Sequence, residues 1–161
     1  MGLFNKKNKD GNVSTKMIYV SGVEQYDKRA YVELSLADEN LQIKCKKDIY
    51  PPAYVPLERI TNVGFINDKE IIEKSKSVGG RAFVGGILLG PVGAIVGGMS
   101  GIGNKKNTHS RCYMVVNYKS TSGELNAITF EAPEDNLNYF SFMKKLEAKI
   151  KTKEMPSEIR L

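Results

Sequence analysis

The dominant hydrophobic period along this chain is two. In "RAYVELSL", Ala30, Val32, Leu34 and Leu36 alternate with Tyr31, Glu33 and Ser35. That is the pattern of a strand with one buried face. "LQIKCKK" repeats it, with Leu41, Ile43 and Cys45 against Gln42, Lys44 and Lys46. "ADEN" at 37–40 supplies turn chemistry between the two runs and predicts a hairpin. "KMIYVSGV" predicts an earlier strand near 17–23, and "ITNVGFIND" a later one over 60–66. "SRCYMVVNYKS" is richest in β-branched and aromatic residues and predicts the strongest strand. "TSG" at 121–123 returns it into "ELNAITFEA" as a second hairpin. Between these blocks, Pro51, Pro52 and Pro56 exclude a central strand over 50–56 and leave an edge strand or an extended link. "DKEIIEKSKS" reads as a short strand or a turn of helix before Val78.

Near the end the period becomes helical. Tyr139, Met143, Leu146 and Ile150 form one apolar stripe, and Leu137, Phe140 and Phe142 widen it. Pro133, Glu134 and Asp135 suit a first turn; Lys144, Lys145, Lys149 and Lys151 lie towards the end where cations are favoured. Antiparallel strands, an interruption, two more strands and one amphipathic helix make an α+β domain. This order resembles the pleckstrin-homology-like fold, an antiparallel β-barrel capped by its C-terminal helix. The resemblance is carried by "VPLERITNVGFIN" (55–67) and "YMVVNYKSTSGELNAITFEAPEDNLNYFSFMKKL" (113–146). The interruption resembles those of small bacterial proteins that join such a domain to a glycine zipper. The resemblance brings no catalytic motif. The chain then divides into a basic tail over 1–15, a pleckstrin-homology-like domain over 16–151, a glycine-rich insertion over 78–104 within it, and a polar tail over 152–161.

The insertion, "GGRAFVGGILLGPVGAIVGGMSGIG" over 79–103, holds ten of the fifteen glycines and one charge, Arg81. Small residues recur every four positions at Ala82, Gly86, Gly90, Ala94 and Gly98. On a helix this row is a groove that lets two backbones approach closely. Each glycine costs a helix in water about 1 kcal/mol, so such a helix needs lipid or a partner to form. "AFVGGILLG" and "AIVGGMSG" share A-x-V-G-G, with Gly90 and Pro91 between them as a turn. The expectation is a helical hairpin with basic residues at both ends: Arg81 before it, Lys105 and Lys106 after it, placed to hold headgroup phosphates. Each arm spans about 15 Å, too short for a hydrocarbon core of about 30 Å, so the hairpin enters one leaflet or packs with other chains. A hairpin folded onto its own domain is a further alternative. A phosphate-binding loop is disfavoured, because neither G-x-x-x-x-G-K-[ST] nor G-x-G-x-x-G after a strand occurs.

Composition narrows this only slightly. Formal net charge is +6, which favours anionic surfaces, lipid or nucleic acid. Tyr113, Tyr118 and Phe130 offer rings to bases, but the RNP1 pattern is absent, and nucleic acid is the weaker partner. The single histidine, His109, falls in a polar loop and cannot make a usual metal site alone. H-E-x-x-H, C-x-x-C and G-x-S-x-G are all absent, so no enzyme, catalytic residue, metal or cofactor is expected. Lys6 stands where a myristoylation motif wants Ser or Thr. Cys45 and Cys112 read as buried thiols of a reducing compartment. Together these readings place the protein in the cytoplasm, at the inner face of the membrane, with lipid or sister chains as partners.

Overall fold

The computed structural model describes residues 13–75, 83–84, 87–89, 111–135 and 137–154. Seven strands form one antiparallel sheet: β1 (Val13–Ser21), β2 (Tyr31–Leu36), β3 (Asn40–Cys45), β4 (Ala53–Pro56), β5 (Ile60–Asn67), β8 (Cys112–Lys119) and β9 (Leu125–Glu131). Their order is β4-β3-β2-β1-β9-β8-β5. A separate two-stranded ribbon pairs β6 (Phe83–Val84) with β7 (Ile87–Leu88). Helix α1 is Asp68–Ser75 and helix α2 is Asn138–Glu154.

β1 joins the two halves of the sheet. Its first six residues pair with β2, and its end pairs with β9 from Ile18↔Glu131 onward. The register shifts between Tyr19 and Ser21; such a bulge bends a strand and lets it serve both halves. Gly22 follows with φ +112°, and a Cβ there would sit 2.7 Å from the Ile128 Cα. Only glycine fits that crossing of β1 over β9.

Both predicted hairpins form, with Leu34↔Ile43 and Val116↔Ile128 in register. The proline-rich link is edge strand β4 followed by a 3₁₀ turn, Leu57–Arg59. α2 packs across β1, β5 and that turn. Its core residues are Phe142, Leu146 and Ile150, buried with Met17, Leu34 and Phe130. The stripe is thus centred on Phe142, with Tyr139 and Met143 half-buried beside it. Leu137 and Phe140 lie outside, Phe140 stacking on Phe65 at 5.2 Å. The helix also starts later than expected. Ala132 N–H still donates to the Cys112 carbonyl at 2.9 Å, so the chain is extended up to Pro133 and turns helical only at Asn138. At the other boundaries, β1 begins at Val13 and α2 runs to Glu154.

α1 resolves the ambiguous "DKEIIEKSKS". Asn67 Oδ1 accepts the Glu70 N–H at 2.8 Å, and the Glu70 carboxylate accepts the Asn67 N–H at 3.0 Å. This reciprocal cap starts the helix, and its signal, Asn-x-x-Glu, is present in the sequence.

Candidate functional site

β8 is buried on both sides. Met114 and Val116 face the barrel core, while Tyr113, Val115 and Asn117 face outward and are equally buried. A half-buried strand alternates; this one does not, because its outer face is covered. The cover includes Ile71 of α1 and Ile87 and Leu89 of the glycine-rich segment, clustered with Val20, Ile66 and Ala127.

Three contacts seat that segment. Ile87 lies over Gly64, where a Cβ would collide with the Ile87 Cδ1; the glycine in the middle of β5 is the space the side chain occupies. Leu88 is held by Asn117: its N–H donates to Asn117 Oδ1 at 2.8 Å, and Asn117 Nδ2 donates to its carbonyl at 2.7 Å. The carboxamide thereby acts as a strand neighbour for one residue. Leu89 is fully buried beside them. Next to this seat lies a cleft of about 780 Å³, lined by Gly22, Tyr26, Tyr54, Leu88, Leu89 and Tyr118 among others.

On the same outer face, Glu131 accepts a hydrogen bond from Arg29 at 3.3 Å and pairs with Arg111 at 3.5 Å, with only 10% of its side chain exposed. Arg29 adopts φ 67°, a left-handed conformation that non-glycine residues seldom take. Tyr113 is the register partner of Glu131. Burial, and then the Glu131 carboxylate, push its hydroxyl up to about 12, against the pull of Arg111. The hydroxyls of Ser21 and Thr129, also register partners, are buried with no hydrogen-bond partner among the described residues. Cys112 is half-buried rather than enclosed, and burial followed by Glu70 raises its thiol. The rings considered for base stacking are not available for it: Tyr113 and Phe130 are buried and Tyr118 is partly so.

The helical hairpin expected over the insertion is not what the described part forms. Phe83–Val84 and Ile87–Leu88 are extended and paired, held so by β8 and β5. Arg81, Ala82, Gly86, Gly90, Pro91, Ala94, Gly98, Lys105, Lys106 and His109 lie outside the described residues. Asn117 and Gly64, which no sequence pattern singled out, are the residues that position the segment. Their signals are a lone carboxamide in the most apolar strand and a glycine inside a strand. Among the described residues, no helix is long and apolar enough to cross a membrane, and no cluster of His, Cys, Asp and Glu is placed to hold a metal ion.

An antiparallel barrel-like sheet closed by a C-terminal helix, with a glycine-rich segment seated on its outer wall, defines a pleckstrin-homology-like domain, a class of binding modules. The chain matches the family of glycine zipper-containing PH domains over residues 19–132, and it belongs to that family. No curated protein matches it.

Proposed function

We propose that this chain is a non-enzymatic interaction module whose barrel presents the glycine zipper to a membrane, at the cytoplasmic face. The observation that carries the reading is the double hydrogen bond between Asn117 and Leu88. It roots the segment on a rigid wall, so that the chain beyond Leu89 is delivered from a fixed base. Positions 90–104 are free of charge. Because 83–84 and 87–88 are extended strands, the small residues left for a close-packing row are Gly90, Ala94 and Gly98. Those small residues let the backbone lie against lipid or another backbone. Arg81, Lys105 and Lys106 bracket the segment and meet headgroup phosphates. An arm this short reaches into one leaflet only.

Ile87 and Leu89 are buried against the chain's own barrel, which leaves the small residues beyond them for close packing, and in a second reading that row packs on a sister chain. Mass measurement without detergent separates the two: a monomer that binds vesicles supports the first, and a stable oligomer that ignores them supports the second. Replacing Gly90 and Gly98 with leucine abolishes close packing but leaves simple apolar attachment intact.

A further inference from the structure

Another cleft, of about 740 Å³, is lined by Ile18, Tyr31 and Glu131. Ile18 is the register partner of Tyr31 in β2 and of Glu131 in β9, which sets the three side chains in one row across three strands. The chain between β9 and α2 lines the cleft as well, through Pro133, Glu134, Asp135 and Leu137. Arg29 and Arg111 also line it and converge on one carboxylate. Arg29 Nη1 lies 3.3 Å from Glu131 Oε2, and Arg111 Nη1 lies 3.5 Å from Glu131 Oε1. The carboxylate is enclosed, whereas the two arginine side chains are 53% and 33% exposed. A guanidinium has five N–H donors, so the contact with Glu131 leaves donors on both for a ligand. Arg29 is also the one non-glycine residue with positive φ among the described residues. Backbone strain of this kind persists where the surroundings fix a residue in place, as at ligand clamps. Two further lining side chains are apolar and face water, Tyr31 at 58% and Leu137 at 68% exposure. Glu134 and Asp135 are exposed and hold no ion pair among the described residues.

We infer that this cleft captures the free C-terminus of a partner polypeptide. The terminal carboxylate takes the remaining donors of Arg29 and Arg111, an apolar last side chain lies against Tyr31 and Leu137, and a basic residue just before it meets Glu134 and Asp135. Guanidinium groups suit a planar carboxylate, which accepts two parallel hydrogen bonds, and backbone or side-chain donors gathered in a hollow are a recurrent way to hold a chain terminus. Charge complementarity sets the rest of the ligand. Three acids line the cleft, Glu131, Glu134 and Asp135, against two arginines, so a phosphate-rich polyanion is repelled. A single carboxylate next to an apolar group and a cation matches both signs. A volume of about 740 Å³ holds several residues of extended peptide and lies within the usual range of ligand sites, about 300–1,000 Å³. This site uses neither the glycine segment nor lipid, and it goes beyond the membrane reading without resting on it.

Fluorescence polarisation of a labelled Gly-Ser-Ala-Lys-Leu peptide, titrated with the full chain, tests it. The peptide with a free carboxylate binds, and its amide-capped form binds roughly ten- to a hundredfold more weakly, as expected for lost hydrogen bonds to charged groups. Arg29→Asn removes the guanidinium while keeping a side chain that tolerates the left-handed backbone, and it weakens the free peptide by about tenfold or more. Leu137→Ser changes an exposed position, leaves the fold intact and weakens the same peptide by roughly threefold or more. Glu134→Gln with Asp135→Asn lowers affinity for the lysine-containing peptide but not for one ending Ala-Ala-Leu. Equal affinity of the free and capped peptides overturns the proposal. So do unchanged binding by Arg29→Asn, or no binding of the free peptide up to about 1 mM. Displacement of the peptide by an equimolar amount of inorganic phosphate also overturns it, since it marks an unselective anion site.

Discussion

The side chain of Asn117 and the backbone of Leu88 exchange two hydrogen bonds, at 2.8 and 2.7 Å, across the outer face of β8. Both residues are buried, so neither group has water to fall back on. Asn117→Ala orphans the Leu88 N–H and carbonyl at a cost of roughly 2–3 kcal/mol. The opening is local, and the measurement is hydrogen exchange: the Leu88 amide loses about a hundredfold of its protection, while amides of β2 and β3 are little changed. Equal loss throughout the barrel would show that the segment is part of the cooperative core rather than a seated strap.

Gly64 and Ile87 give a steric test of the same seat. A methyl at position 64 collides first with the mobile Cδ1 of Ile87, which can rotate away. Gly64→Ala therefore costs less than about 1 kcal/mol, and Gly64→Val about 1–3 kcal/mol. Urea denaturation measures both. Pairing Gly64→Val with Ile87→Ala recovers part of the loss if the clash is the cause.

Glu131 is the buried member of a charge cluster with Arg29 and Arg111. Glu131→Ala leaves two guanidinium groups without their carboxylate and removes a contact that offsets the cost of the left-handed backbone at Arg29. The expected loss is about 1–3 kcal/mol, less than for a fully enclosed pair because Arg29 is half exposed. Arg29→Gly in the Glu131→Ala background then restores some stability by relieving φ, as read from thermal midpoints.

Tyr113 makes stability fall at alkaline pH. Its hydroxyl titrates near 10 when unfolded and about 12 when folded, so the unfolded chain loses its proton first. The contribution is complete below pH 10 and disappears as pH rises to about 12, amounting to up to roughly 2–3 kcal/mol. Tyr19 and Tyr26 are raised by burial as well and act in the same direction. Tyr113→Phe flattens part of this decline in denaturation curves collected from pH 9 to about 12.

Alternation made the barrel legible. Val32, Leu34 and Leu36 are buried as their spacing demands, because β2 has one wet face. β8 broke the rule: Tyr113 through Asn117 are all buried, and a strand covered on both sides carries no period to read. The helix was legible as an element but not in its centre, since Phe142 outranks Tyr139 only once β1 and β5 are in place around it. The seat of the glycine segment was the least legible feature. Local pattern describes what a segment can do alone, and a run poor in side chains announces close packing without naming the surface. Here Asn117, 29 positions further along the chain than Leu88, supplies a strand-like partner that turns 87–88 from helix to ribbon.

In the proposed membrane reading, residues beyond Leu89 carry membrane association while the barrel supplies their base. Fractionation of cells expressing the full chain, or a chain lacking 90–104 but retaining Ile87, Leu88 and Asn117, tests it most directly. We expect the full chain with the membrane fraction, released by detergent, and most of the shortened chain in the supernatant. Identical distribution of the two would contradict it.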